Sequence, residues 1–175
     1  MTGKELRIVF MGTPDFAVAS LKELVDESYN IVGVITAPDK PAGRGKKINI
    51  PAVKKYAIEK GLTILQPERL KNPEFLSQLQ SLKADLQVVV AFRMLPKIVW
   101  QMPKYGTFNL HASLLPDYRG AAPINWAIIN GETKTGVTTF FIDEKIDTRN
   151  IILQEKVLIG DTEIVGEVHD KLMNI

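Results

Sequence analysis

The chain has 175 residues, 45% hydrophobic and 24% charged with a formal net charge of +2, which is the composition of one globular domain large enough to bury a core. The absence of cysteine excludes a disulfide scaffold, a thiol nucleophile and a cysteine-based metal site. No apolar run approaches the ~20 residues of a membrane span, so we expect a cytoplasmic protein without a membrane partner.

Short apolar runs alternate with segments of helical periodicity. In chain order, the pattern predicts a strand at 6–11, a helix over 14–25 capped by Thr13 with Pro14 in its first position, a strand at 31–36, a helix at 51–60, a strand at 63–65, a helix at 73–82, strands at 85–92 and 106–111, a helix at 121–129, strands at 136–142 and 151–158, and a helix from about 162. This alternation predicts an α/β, Rossmann-like fold with a mainly parallel sheet and helices on both faces.

The first turn between a strand and a helix contains one glycine, Gly12, and lacks the Gly-x-Gly-x-x-Gly fingerprint. A nicotinamide or flavin dinucleotide is therefore disfavoured. The sequence at 43–46 is too short for the phosphate loop of an NTPase. Two histidines, His111 and His169, in a chain without cysteine also make a poor metal site, so we expect no metal.

Basic residues are concentrated between residues 39 and 55, against a single acid. They are Lys40, Arg44, Lys46, Lys47, Lys54 and Lys55. The prolines and glycines at 38–45 predict a mobile loop and not a strand or a helix. A solvated basic loop and a phosphate-contacting loop both fit this pattern.

Two polar side chains, Asn109 and His111, lie at the end of the strand predicted at 106–111. Side chains alternate along a strand, so both project from one face, at the edge of the sheet where α/β folds bind ligands. An amide and an imidazole can there donate hydrogen bonds to one developing oxyanion, and Asp147 on a following loop can orient or charge the imidazole. The pattern predicts an acyl-transfer site, although a lone strand histidine also fits a packing role.

Four segments resemble the 10-formyltetrahydrofolate-dependent formyltransferases in order and approximate spacing. They are residues 9–17, 38–47, 108–126 and 143–148. The basic segment at 38–47 is similar to one that the tRNA-modifying members carry and the glycinamide-ribonucleotide enzymes lack. The resemblance therefore implies a transferase of protein biosynthesis that moves a formyl group from 10-formyltetrahydrofolate to the α-amine of initiator methionyl-tRNA.

The resemblance also assigns residues to roles. Asn109, His111 and Asp147 would be catalytic, the first two stabilising the tetrahedral oxyanion. The implied folate contacts are Arg93, Met94, Leu95, Ser113, Leu114, Leu115 and Pro116. The implied tRNA contacts are Lys40, Arg44, Lys46 and Lys47.

Two residues depart from the family pattern: Arg93 and Arg149 stand where glycine is usual in the tRNA enzymes. Because the chain ends inside a predicted helix, we expect residues 1–175 to be the catalytic domain of a monomeric enzyme, cut near its carboxyl end and without the family's second, β-barrel domain. Two alternatives stay open. One is a formyltransferase for a small amine such as glycinamide ribonucleotide or an amino sugar nucleotide, and the other is a non-catalytic nucleic-acid-binding α/β module that uses the basic loop.

Overall fold

The first strand of the sheet is covered on both of its faces. The structure, a computed structural model, describes residues 3–42, 47–144 and 151–175. All five residues of strand β1 (Ile8–Gly12) are buried. Because successive side chains leave opposite faces of a strand, the sheet must be packed on both sides at β1.

The described residues form nine strands, six α-helices and a short 3-10 helix at Gly3–Glu5. The remaining strands are β2 (Ile31–Ile35), β3 (Lys40–Ala42), β4 (Lys47–Asn49), β5 (Ile64–Leu65), β6 (Leu86–Val90), β7 (Thr107–His111), β8 (Lys134–Phe141) and β9 (Ile151–Leu158). The helices are α1 (Asp15–Asp26), α2 (Ala52–Glu59), α3 (Pro73–Ser81), α4 (Lys97–Trp100), α5 (Pro123–Ile129) and α6 (Val165–Met173).

The chain divides into two compact units, Met1–Thr107 and Phe108–Ile175. In the first, four strands pair in parallel in the order β5, β2, β1, β6. The β1–α1–β2 succession is the Rossmann-like element that the alternating pattern predicts. The expected α/β class with a mainly parallel sheet is therefore confirmed.

The start of α1 differs from the prediction. Pro14 and not Thr13 is the N-cap residue, no side chain caps the helix, and Asp15 is its first residue. The carbonyl of Thr13 instead accepts a hydrogen bond from the backbone of Val53, 3.3 Å away. A carboxylate in the first turn compensates the exposed N–H groups there, so the helix does not depend on a threonine cap.

The prediction of a loop without strands at 38–47 is wrong for the described part of that segment. Strands β3 and β4 pair antiparallel, with Lys40 opposite Asn49 and Pro41 opposite Ile48. Proline is tolerated at the edge of a sheet, and a two-stranded ribbon consists only of edges. The glycines at 43 and 45 lie outside the described residues.

The second unit contains an antiparallel sheet. Strand β8 pairs antiparallel with both β7 and β9, and α5 and α6 contact each other. The helix between β7 and β8 therefore does not produce the parallel crossover that a strand–helix–strand pattern favours. Among the described residues, no helix is long and apolar enough to cross a membrane.

Candidate active site

His111 is the last residue of β7, where it is half-buried opposite Thr138 of β8. Its Nε2 lies 2.9 Å from the backbone carbonyl oxygen of Tyr118. A carbonyl can only accept a hydrogen bond, so Nε2 must carry the proton and donate. The ring is therefore either the neutral Nε2–H tautomer or the imidazolium, and Nδ1 is the nitrogen left for other chemistry.

Asn109 precedes His111 by two residues on the same strand and is also half-buried. It lies opposite Phe140, as His111 lies opposite Thr138. The alternation of β7 therefore directs both side chains to one face, as the sequence predicts. The described part of the chain offers the Asn109 amide no hydrogen-bond partner, so its N–H groups are available to a ligand. Asp147 lies outside the described residues, in the gap at 145–150.

The turn after His111 is built on one buried hydroxyl. Thr138 Oγ1 donates to the carbonyl of Ser113 at 2.7 Å and accepts from the N–H of Leu115 at 3.1 Å. Gln154 Nε2 donates to the same hydroxyl and to the carbonyl of Leu115, both at 2.9 Å. These bonds fix the path of residues 113–116, which ends in a cis peptide bond before Pro116.

The hydroxyl of Ser113 is committed to the fold. The residue is fully buried, and its Oγ donates to the carbonyl of Asp117 at 2.7 Å. It is therefore positioned to brace the turn and not to act as a nucleophile. Leu114 packs against Gly136 of β8, where an added Cβ would lie 2.6 Å from the leucine Cδ2. Leu114 and Leu115 are half-buried and Pro116 is exposed.

The sequence patterns did not predict the residues that hold Tyr118, the hydrogen-bond partner of His111. The phenol of Tyr118 donates to Glu132 Oε1 at 2.5 Å and accepts from Asn130 Nδ2 at 3.1 Å. The hydrogen bond to Glu132 raises the pKa of the Tyr118 phenol. The turn-rich sequence around Tyr118 indicates a loop only, and no local pattern relates Tyr118 to a glutamate 14 residues later.

The first unit contains an open cavity of about 520 Å³, lined by residues 69–71 and 93–96. The volume lies in the range of small-molecule sites. Arg93, Met94 and Leu95, which the resemblance assigns to folate, lie together here, and the Met94 side chain is 93% exposed.

Arg93 shows how an arginine is accommodated where glycine is usual. Its two Nη atoms donate to the carbonyls of Pro67 and Glu68 at 2.7 and 2.9 Å, and its guanidinium lies 5.2 Å from the centre of the Phe92 ring. Burial lowers the pKa of Arg93, and its Nε is buried without a partner among the described residues. The arginine therefore ties two loops together at the wall of the cavity.

The base of the β3–β4 hairpin is anchored by Asp39. This carboxylate accepts hydrogen bonds from Lys54 Nζ at 2.5 Å and Gln66 Nε2 at 2.8 Å, and the Gln66 amide also donates to the carbonyl of Ala37. The bond from Lys54 lowers the pKa of Asp39. Lys54 is thus engaged with the protein. Of the predicted tRNA contacts, Lys40 and the backbone of Lys47 lie on the hairpin, and Arg44 and Lys46 lie outside the described residues.

No group of three or more histidine, aspartate or glutamate side chains that could hold a metal occurs among the described residues.

Comparison with known proteins places the chain in the formyl transferase family. A family model described as formyl transferase matches residues 6–175. The chain is 64% identical over 172 residues to methionyl-tRNA formyltransferase of Flavobacterium johnsoniae, covering 98% of this chain and 55% of that protein. It is 64% identical over 173 residues to the enzyme of the same name from Bacteroides thetaiotaomicron, covering 99% of this chain and 54% of that protein. The chain spans about half the length of the curated relatives it matches.

Among solved structures, phosphoribosylglycinamide formyltransferase from Bacillus halodurans has a similar fold. The TM-score is 0.76 at 22% sequence identity, over 95% of this chain and 87% of that chain. At this identity the likeness shows the fold alone.

Proposed function

The chain belongs to the formyl transferase family, and from that premise we propose that it transfers a formyl group from 10-formyltetrahydrofolate to the α-amine of initiator methionyl-tRNA. The observation that carries the proposal is the identity of 64% to methionyl-tRNA formyltransferases over nearly the whole chain. We propose that residues 1–175 act as the catalytic domain of a monomeric cytoplasmic enzyme.

The proposed reaction is a direct acyl transfer. The neutral α-amine attacks the formyl carbon, the carbonyl electrons move to oxygen, and the tetrahedral intermediate collapses with cleavage of the bond to N10 of the folate. The proton lost by the attacking nitrogen leaves on N10. An esterified α-amino group has a useful neutral fraction near pH 7, so the oxyanion and not the nucleophile makes the larger demand on the protein.

Asn109 and His111 are the proposed oxyanion donors. Because the Tyr118 carbonyl holds Nε2–H of His111, the ring can donate to an oxyanion only through Nδ1, and therefore only as the imidazolium. The neutral ring can instead accept, at Nδ1, the proton released by the attacking amine. Asp147 is proposed to stabilise the cation. One such donor is typically worth about 3–4 kcal/mol in the transition state.

Folate binding is proposed at two places, one in each compact unit. The cavity beside Arg93, Met94 and Leu95 offers main-chain groups and an apolar wall, with the arginine side chain serving the fold. The turn 113–116 of the second unit is proposed as a further folate contact, since its backbone is fixed by Thr138. The proposed co-substrate requires no metal.

The acceptor RNA is proposed to contact the basic hairpin. Lys40, Arg44, Lys46 and Lys47 would meet phosphates there, which adds salt-dependent affinity without reading sequence. Neutralising all four should weaken tRNA binding and reduce its salt dependence by roughly one unit of slope per lost contact, with little effect on a folate analogue. An unchanged salt slope together with lost folate affinity would favour a small amine as acceptor.

The function is tested by offering 10-formyltetrahydrofolate with methionyl-tRNA, glycinamide ribonucleotide or an amino sugar nucleotide and measuring the formylated product. We expect formylmethionyl-tRNA. Asn109→Ala should lower kcat about 100- to 1000-fold, as loss of one oxyanion donor does, and His169→Ala on α6 is the matched control. Formylation of a small amine alone, or tRNA binding without any transfer, would contradict the proposal.

A further inference from the structure

We propose that Tyr118, Asn130 and Glu132 form a latch that positions His111 and selects Nδ1 as the ring nitrogen that serves the reaction. The three are positioning residues, since their described contacts are to the protein. The catalytic part of this inference rests on the proposed function, and the part that concerns the ring does not.

The backbone of Tyr118 has an uncommon conformation that sets the direction of its carbonyl. Its φ is 53°, in the left-handed region that residues with a Cβ seldom occupy. The preceding residues are braced by the Ser113 hydroxyl, which donates to the carbonyl of Asp117, and by the N–H of Asp117, which donates to the carbonyl of Leu114 at 3.1 Å. A strained residue persists where its surroundings over-determine it, and such residues cluster at functional sites.

The side chain of Tyr118 provides the second anchor. Its hydroxyl is held from both sides by residues that directly follow α5, donating to Glu132 and accepting from Asn130. That segment is itself fixed, because the N–H of Glu132 donates to the carbonyl of Ala127 at 3.0 Å. The left-handed backbone of Tyr118, the hydrogen bonds of its phenol and the end of α5 thus all fix the carbonyl of Tyr118 that contacts His111.

The latch has a chemical consequence because the two nitrogens of a histidine ring are distinct. A carbonyl fixed at Nε2 requires a proton there, so the Nδ1–H tautomer loses this hydrogen bond. Nδ1 is then an acceptor in the neutral ring and a donor in the imidazolium. Both states are useful in formyl transfer, the first for the proton of the amine and the second for the oxyanion.

The ring is tested directly by ¹⁵N NMR of the protein without substrates. The chain has only two histidines, so His169 is an internal reference and His169→Gln assigns the spectrum. In the unchanged protein we expect the neutral His111 ring to carry its proton on Nε2. Tyr118→Phe, which deletes the latched hydroxyl, should lower the ratio of the Nε2–H to the Nδ1–H tautomer about five-fold, as loss of one net hydrogen bond would.

Two further variants separate the latch from a general loss of structure. Glu132→Gln keeps an acceptor oxygen for the phenol and should stay within about two-fold of the unchanged ratio, whereas Glu132→Ala should behave as Tyr118→Phe does. Tyr105→Phe, in the other compact unit, is the matched control and should leave the ratio unchanged. An unaltered ratio in both Tyr118→Phe and Glu132→Ala overturns the latch.

The catalytic arm uses the formylation assay with the same variants. Tyr118→Phe and Glu132→Ala should lower kcat about five-fold or more at constant KM for both substrates, and Glu132→Gln should restore most of the rate. If the tautomer ratio responds but the unchanged protein formylates none of the offered acceptors, the proposed function fails and the latch stands. If the unchanged protein is active and neither the ratio nor kcat responds, the latch fails alone.

Discussion

Removing the single hydroxyl group of Thr138 should destabilise the second compact unit by more than the loss of one hydrogen bond, because this hydroxyl takes part in three. The substitution Thr138→Val keeps the shape and the β-branch, so packing and strand propensity change little. It leaves the carbonyl of Ser113, the N–H of Leu115 and the amide of Gln154 without this partner. The bond to the Ser113 carbonyl is buried, where water cannot replace it, and the bond from the Leu115 N–H is part-buried.

The expected loss follows from those bonds. A buried group left unsatisfied costs about 1–3 kcal/mol, and the exposed Gln154 amide can turn to water, so we expect Thr138→Val to lower the free energy of unfolding by about 2–4 kcal/mol. With a urea slope of about 2 kcal/mol/M, the midpoint falls by ~1–2 M. The control is Thr139→Val on the same strand, whose hydroxyl makes one long bond of 3.4 Å to the carbonyl of Leu153.

Urea unfolding can be followed in this unit alone, because the chain has two tryptophans and only Trp126 belongs to it. In a Trp100→Phe background, fluorescence reports the unfolding of the region around α5. We expect Thr138→Val to lower the urea midpoint by ~1–2 M, and Thr139→Val to change the free energy of unfolding by less than about 0.5 kcal/mol. Equal effects of the two substitutions would refute the assignment of Thr138 as the centre of the turn.

Further outcomes are expected at a glycine and at an ion pair. Gly136→Ala should disrupt β8, because the new Cβ would overlap the carbonyl oxygen of Glu155. We expect the free energy of unfolding, measured in urea, to fall by about 3 kcal/mol or more. The control is Gly166→Ala in α6, which has open space around it and should be neutral or stabilising by up to about 1 kcal/mol. At pH 7 Asp39 contributes stability through its bond from Lys54, and because its folded pKa lies below the unfolded value of about 3.9, that contribution is lost as the pH falls below about 4. Asp39→Asn should therefore lower Tm at pH 7 and narrow the difference in Tm between pH 7 and pH 3, and an unaltered difference would show that the carboxylate does not anchor the hairpin.

The regular elements were predictable because local patterns encode them. The β9 boundaries agree with the prediction, and the predicted strand ending at His111 ends there. The pair Asn109 and His111 could be placed on one face from alternation alone. The helix α4 was missed, since four residues give no periodicity to detect.

Strand direction and the β3–β4 hairpin were not predictable in this way. An alternating strand has the same side-chain pattern whether its neighbour runs parallel or antiparallel, so the antiparallel β7–β8–β9 arrangement leaves no local signal. In the described part of the hairpin, Pro41 is compatible with a two-stranded ribbon, because such a ribbon has only edge strands.

The sequence by itself determined the fold class, the family resemblance and the strand that carries Asn109 and His111, since these depend on composition, periodicity and short motifs. Only the tertiary structure decided that Nε2 of His111 is hydrogen-bonded to the carbonyl of Tyr118, and that the phenol of Tyr118 is bonded to Glu132. The physical reason is that a hydrogen bond between a ring nitrogen and a carbonyl seven residues away depends on a left-handed residue and on a helix end. No local sequence pattern predicts the positive φ of Tyr118 or the hydrogen bond between Tyr118 and Glu132.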